Sequence, residues 1–466
     1  MNQFIFLLNL LLPLFLTVNT KTYLAKIVKN DDTISETAES SKEGIDYSDE
    51  DEPQLLIDLN PKGPGSSLRT SSAETLKLCE DPFYISCQIA DISSDILGKK
   101  NILLPGNLEL KFKNKVPGND NAYNYEGDGS SLIVTYNPAS GGMSGTALTK
   151  DGRTFVLENI GEEGHLWKEM DLQKIDNLKT GRTGNRAMGP PKKDYVMPNL
   201  TNVNRAFGFD SEENTKDNDT MAYISVKVYY TREFARETNN VNDFVDKMLA
   251  ITNQGFLNSK VPITVVKNCI EAADLNDIYD IRKQLAAFMK LKRSYGEVKD
   301  TADSATLLTM KNDACGIGNL YGFYDDAFTV VGKHCVEHFA YGHELGHNLG
   351  AFHNIQEGAN PEYSFGHGSL MEKAKQGENG YQSIMSYPTY QFRRRANYYS
   401  NPKVILPQNG KPTGVDGETN NAAVLLGNRF RIANVGDESW KCALVCNSER
   451  CSQKEKPRTK PWWAQY

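Results

Sequence analysis

The chain has 466 residues, of which 39% are apolar, and a formal net charge of −7. That length exceeds one typical core, and the apolar content is enough to build two. Ten acidic side chains against one lysine between Asp31 and Glu52 carry a net −9, so the remainder is close to neutral. Nothing in the balance calls for a nucleic-acid or membrane partner.

In chain order, Phe4 to Leu16 is almost entirely apolar. It is too short to span a bilayer and fits a signal-peptide core, with small residues at Val18 and Thr20 suited to cleavage after Thr20. The mature protein is therefore expected to be secreted, with no membrane span. The acidic run and the Gly-, Pro- and Ser-bearing stretch Pro61 to Ser72 form a solvated linker over 21–72. Leu108, Leu110 and Phe112 alternate with charged residues as in a half-buried strand, and Asp151-Gly152 is a hairpin signal between Gly145–Thr149 and Arg153–Leu157. Residues 73–180 thus read as a β-rich domain.

A second low-order stretch, Gly181 to Asp219, carries Arg182, Arg186, Lys192 and Lys193, each usable by a processing protease. Beyond it, Ile224, Val226 and Val228 predict a strand and Val241–Ser259 a helix. Val261–Val266 predicts a strand, Ile278–Met289 a helix and Thr306–Met310 a strand. Strands alternating with helices indicate an α/β layer. The domain is expected to span 220–440, with a Cys-bearing tail over 441–466.

Eight cysteines in a secreted chain imply disulfides. They divide as Cys79 and Cys87 in the first half and six in the second, so every thiol can pair within its own half; six still allow fifteen connectivities. Asn199-Leu200-Thr201 and Asn218-Asp219-Thr220 are glycan acceptor sites by pattern.

Six of the seven histidines lie between His334 and His367. Residues 343–353 read His-Glu-Leu-Gly-His-Asn-Leu-Gly-Ala-Phe-His. On a helix, His343 and His347 project from one face and can grip one ion. Glu344 points to the side, better placed as a base for metal-bound water than as a ligand. Gly350 lets the chain turn out of the helix and bring in His353. Three neutral imidazoles with an open position are the layout of a catalytic zinc site.

This motif resembles the metzincin clan of zinc endopeptidases, whose second signature, a Met-containing turn, matches Ser383-Ile384-Met385-Ser386-Tyr387-Pro388. The resemblance implies an α/β (α+β) catalytic domain with a mixed twisted sheet and a zinc-bearing active helix. It implies one zinc ion on His343, His347 and His353, with Glu344 as general base and protein or peptide substrates. Met385 would form an apolar floor beneath the metal. Tyr387 would either assist the oxyanion or wall the substrate pocket. Asp303–Met310 with Cys315-Gly316 is similar to the reprolysin-like (ADAM and snake-venom) enzymes. Asn401-Pro402, Pro412–Val415 and Asn420-Asn421 are similar to secreted peptidyl-Asp metallopeptidases. Reprolysins place Asp and Cys where this chain has Asn354 and Ser383.

Residues 21 to about 200 are expected to be a propeptide that inhibits the enzyme within the same chain. Cys79 or Cys87 could reach the metal as a thiolate, but a disulfide between them is favoured. Phe207-Gly208-Phe209-Asp210 is similar to the aspartate latch of astacin propeptides, although an Asp in a charged linker is ordinarily solvated. Arg393-Arg394-Arg395 with Tyr398 and Tyr399 reads as a solvated basic loop, or else as a subsite for acidic side chains. Trp462-Trp463 in the tail either touch a partner or lie exposed. The competing functional class is a non-catalytic secreted binding protein that keeps the metzincin shell.

Overall fold

The structure is a computed structural model that describes residues 53–59, 73–179, 194–197, 219–294, 302–323, 326–357, 361, 363–371, 380–387 and 394–433. The expected signal peptide, the basic residues Arg182 to Lys193, the glycan acceptors Asn199 and Asn218, Asp210, Arg393 and the tail lie outside them. Both folded regions belong to one compact unit, Asp49–Tyr466.

The N-terminal region is a ten-stranded sheet. Its strands are β1 (Gln54–Leu55), β2 (Ile57–Asp58), β3 (Tyr84–Ile92), β4 (Asn101–Leu104) and β5 (Leu108–Lys115), then β6 (Ala122–Gly127), β7 (Ser130–Asn137), β8 (Gly142–Leu148), β9 (Thr154–Asn159) and β10 (His165–Met170). From β4 to β10 each strand pairs antiparallel with the next, and β10 then pairs with β3. The predicted hairpin at Asp151-Gly152 joins β8 to β9, with Gly152 at φ 87°. Helix α1 (Ala73–Cys79) precedes β3, and the disulfide Cys79–Cys87 ties it to that strand. The favoured pairing is thus the observed one, and neither thiol reaches the histidines. Helix α2 (Leu172–Lys179) follows β10.

The C-terminal region is built on a six-stranded sheet. In chain order it has β11 (Tyr195–Val196), β12 (Ala222–Tyr230), β13 (Ile263–Ala272), β14 (Ser304–Thr309), β15 (Gly316–Asn319) and β16 (Phe328–Gly332). The spatial order is β11-β15-β16-β14-β12-β13, parallel except between β15 and β16. Its helices are α3 (Arg232–Arg236), α4 (Val241–Asn258), α5 (Ile281–Ser294), α6 (Ala340–Asn348) and α7 (Asn421–Ala433). Helix α5 starts three residues later than predicted, because the Asp280 and Asp313 carboxylates accept the backbone N–H groups of Arg282 and Ile281.

Both faces of this sheet are covered, which is why its strands are apolar at consecutive positions. Leu307 and Val330 turn to the side of Phe288 on α5, whereas Leu308 and Val331 join the core shared with α4 and α6. That second core runs on into the N-terminal sheet through Ala122, Ile133, Val156 and Met170.

Helix α4 is the layer the two regions share. It is buried on nearly every side, polar residues included. Those polar residues meet partners on the N-terminal sheet. Asp243 accepts from Asn137 (2.7 Å) and Asn159 (2.8 Å), Gln254 from Asn114 (3.0 Å), and Asn253 donates to the Pro117 carbonyl (2.9 Å). An ion pair extends the contact, Lys333 lying 3.8 Å from Glu158, which also pairs with Lys168; within the C-terminal region Lys247 pairs with Glu337 at 2.5 Å. Burial works against the Glu158 carboxylate, but Lys168 and Lys333 hold it near 2.

His334 is buried in this contact, stacked on Phe83 at 4.2 Å with Nδ1 3.6 Å from Asp81. Burial, then Lys333, pulls its pKa down to about 3. Burial also pulls down His165, which accepts the Met143 N–H, to about 4. Both rings stay neutral in the folded chain while the unfolded chain takes up protons below about pH 6.5. Their contribution is complete above that pH and is lost as pH falls toward these values, by about 1.4 kcal/mol per pH unit per histidine. The thermal midpoint is expected to drop steadily from pH 6.5 to 4, and His334→Phe to make the slope shallower; an unchanged slope in that variant would contradict the assignment.

Candidate metal centre and active site

Helix α6 begins after a 3₁₀ turn, Lys333–His338, through Phe339 at φ 62°. It ends at Gly350, φ 89°, where a Cβ would strike the Tyr321 ring at 2.7 Å. Only glycine serves there, and the turn it makes carries His353 back toward His343 and His347. The sequence-predicted trio is therefore assembled: His353 Nε2 lies 3.1 Å from His343 Nε2 and 2.9 Å from His347 Nε2. On the far side of two rings the tautomer is fixed, since Nδ1–H of His343 donates to the Ile384 carbonyl (2.7 Å) and that of His347 to Ala351 (2.8 Å). Each Nε2 of that pair therefore presents a lone pair inward. Burial lowers the pKa of His343 to about 3 and depresses that of His353, which keeps both rings neutral.

The fourth member comes from the stretch expected to be a low-order linker. Asp194 places Oδ1 2.9 Å from His353 Nε2 and 3.3 Å from His347 Nε2, with Oδ2 3.2 Å from His343 Nε2. Its neighbours Tyr195 and Val196 form β11, which adds to the edge of β15. Gly318 N–H donates to the Asp194 carbonyl (3.1 Å) and Leu320 N–H to Val196 (2.9 Å). Asp194 with the three histidines is a group that could hold a metal ion. Ligand atoms from four side chains converge here, with the Nε2 lone pairs of His343 and His347 turned inward, an arrangement suited to a cation.

Glu344 lies beside the cluster, buried, with Oε2 lacking a hydrogen-bond partner among the described residues. Burial, reinforced by the charge of Asp194, raises its pKa well above the usual carboxylate range. Its space is made by β15: a Cβ on Gly316 would collide with the Glu344 carboxylate, and one on Gly318 would lie 2.8 Å from the Glu344 carbonyl. Met385 is fully buried with Sδ against Gly346, where a Cβ would lie 2.5 Å away. Tyr387 is buried too, its ring 4.1 Å from that of His353. Burial and the Asp194 charge raise its phenol, which hydrogen-bonds that carboxylate.

The two departures from the reprolysin pattern have local uses. Asn354 Oδ1 accepts the Tyr387 N–H at 3.0 Å, and Ser383 Oγ accepts the Ser369 N–H at 2.9 Å, so both pin the turn that carries Met385. The solvated-loop reading of the arginine run is corrected at Arg395. It is 9% exposed and donates to the carbonyls of His338 (2.9 Å) and Ser386 (2.6 Å). Arg394 stays partly exposed and donates to Lys150 O. Tyr399 is core, its hydroxyl on the Gly342 carbonyl and its ring stacked on Phe256, and Tyr398 is also buried. Sequence reasoning missed Asp194, Gly316 and Gly318. The short apolar step Tyr195-Val196 after Lys192-Lys193 was the only local signal for the first.

Residues 209–400 match the family model described as Metallo-peptidase family M12, Reprolysin_5. Two curated proteins, each named Peptidyl-Asp metalloendopeptidase, from Stenotrophomonas maltophilia strains R551-3 and K279a, are 29% identical over 315 residues. Each alignment covers 66% of this chain and 70% of the relative. A crystal structure of metalloproteinase-II from Bacteroides fragilis aligns at 14% identity with a TM-score of 0.40, over 66% of this chain and 91% of that one. By the family match and the two curated relatives, residues 209–400 are a metzincin-like, reprolysin-type metallopeptidase domain, and the chain is a metalloendopeptidase.

Proposed function

We propose that this protein is a secreted, zinc-dependent endopeptidase made as a zymogen, with Asp194 as the residue that keeps it latent. The observation that carries the reading is the convergence of three imidazoles, two of them anchored to backbone carbonyls, and one carboxylate within 4.8 Å of one another. His343, His347 and His353 are the metal ligands in this reading, and neutral imidazoles suit zinc. Bound there, zinc would supply Lewis acidity to polarise the scissile carbonyl and acidify water. Glu344 takes the proton of the attacking water and passes it to the departing amine. Burial first, and then the charge of Asp194, raises its pKa in the latched chain; once Asp194 leaves, the second of these goes with it. Tyr387, freed from the same carboxylate, can donate to the developing oxyanion.

The N-terminal region acts as the inhibitor. Its contact with α4 is rich in side-chain hydrogen bonds, and Glu158 meets Lys333 beside it, which suits a surface that must later meet water. Arg182, Arg186, Lys192 and Lys193 all precede Asp194, so cutting there would sever the sheet and leave the latch attached. Activation in this reading needs a cut after Met197, where Arg205 and Lys216 stand before the domain begins. Substrates are extracellular proteins, and the name of the curated relatives points to cleavage beside aspartate.

Casein digestion by chain trimmed after Met197, with and without a chelator, tests the reading: activity should vanish with the chelator and return with zinc. Glu344→Gln should retain the metal and lose about 10²–10⁴-fold in kcat/KM. Gly316→Ala, which displaces the Glu344 carboxylate, should lower kcat more than it raises KM. Asp194→Ala in the full chain should raise hydrolysis of a short peptide at least about tenfold, since a carboxylate leaving a metal is worth more than one such step. A full-length Asp194→Ala variant as inert as its parent would remove Asp194 from the account.

A further inference from the structure

The proposed mechanism makes no use of the buried cation beside it. Arg395 stands on the short strand Arg394–Arg395. Its Nη1 and Nη2 are held by two backbone carbonyls, which fix the guanidinium but do not neutralise it. Nε is buried without a hydrogen-bond partner among the described residues. With Asp194, His343, Glu344 and Tyr387 it lines a cavity of about 10 Å³, room for a single water.

A fixed guanidinium so placed is costly unless an anion meets it, and its planar fork fits a carboxylate. Burial pulls the Arg395 pKa down to about 10, and the nearby carboxylates of Asp176 and Asp194 oppose it. Asp176 lies on α2, in the N-terminal region. The preceding residue, Ile175, is fully buried with its carbonyl 4.0 Å from Cys315 Sγ, in the disulfide Cys315–Cys335 beside the cavity. The N-terminal region therefore brings two aspartates to the site, Asp194 onto the imidazoles and Asp176 toward the guanidinium. Its departure removes both and leaves Arg395 beside Glu344.

We propose that Arg395 is the specificity residue that receives an acidic side chain of the substrate next to the scissile bond, and that Asp176 stands in for that side chain in the intact chain. The proposal rests on the endopeptidase reading above and adds to it the residue that selects the substrate.

The test uses paired fluorogenic peptides that differ only in Asp or Asn beside the cleaved bond, and chain trimmed after Met197. The parent should favour the Asp peptide by about 10²-fold or more in kcat/KM, as a site built for a charged partner rejects its neutral analogue. Arg395→Gln should bring kcat/KM for the Asp peptide down to that for the Asn peptide in the same variant, and Arg395→Lys should lower the Asp-over-Asn ratio at least about tenfold, because an ammonium cannot reproduce the fork. If Arg395→Gln does not fold, Arg395→Lys carries the measurement. In the full chain, Asp176→Asn should raise residual peptide hydrolysis severalfold. Preference for Asp undiminished in the folded Arg395 variants, or cleavage by the parent with no acidic preference, overturns the proposal and leaves the endopeptidase reading standing. No cleavage of casein or of either peptide by zinc-loaded parent overturns both.

Discussion

His353 Nε2 lies about 3 Å from the Nε2 atoms of His343 and His347, whose lone pairs are turned into a buried site, and a cation is what such a cluster of imidazoles is suited to hold. That constraint accounts for much of the local architecture. Carbonyls of Ile384 and Ala351 fix two rings in the required tautomer. A left-handed Gly350 returns the chain so that the third ring can join. Glycines at 316, 318 and 346 are the spaces into which Glu344 and Met385 fit. Each substitution that a helix or strand would otherwise welcome is barred by a neighbour that belongs to the centre, so the fold and the site impose the same residues.

The same logic extends to the contact between the two sheets. Helix α4 is amphipathic in sequence yet buried all round, because the second sheet covers its polar side. On that sheet Asn137 and Asn159 both donate to Asp243 and Asn114 donates to Gln254, while Glu158 meets the buried Lys333. A permanent core would ordinarily use apolar residues at such positions. In the proposed zymogen, polar groups that water can satisfy afterwards suit a covering sheet that departs.

Much of this was legible in the sequence, and the legible part is local. His343, Glu344 and His347 are set by helical spacing, His353 follows through one glycine, and the alternation in Ile224–Val228 and Leu108–Phe112 gave strands where strands occur. What could not be read depends on residues far apart in the chain. Asp194 meets histidines about 150 positions away, and nothing in its polar surroundings marks it. Three consecutive arginines look solvated by composition, yet Arg395 is drawn inward because the carbonyls of His338 and Ser386 are aimed at it. The polar residues of α4 gave no hint of burial because their partners lie in the other sheet.

The most direct test of the account is metal analysis of the purified full-length protein together with X-ray absorption at the zinc edge. The account expects one zinc per chain with both nitrogen and oxygen neighbours, and loss of the metal when His347 is replaced by alanine. Protein that emerges without metal and cannot be loaded with zinc would contradict it, whatever activity it showed.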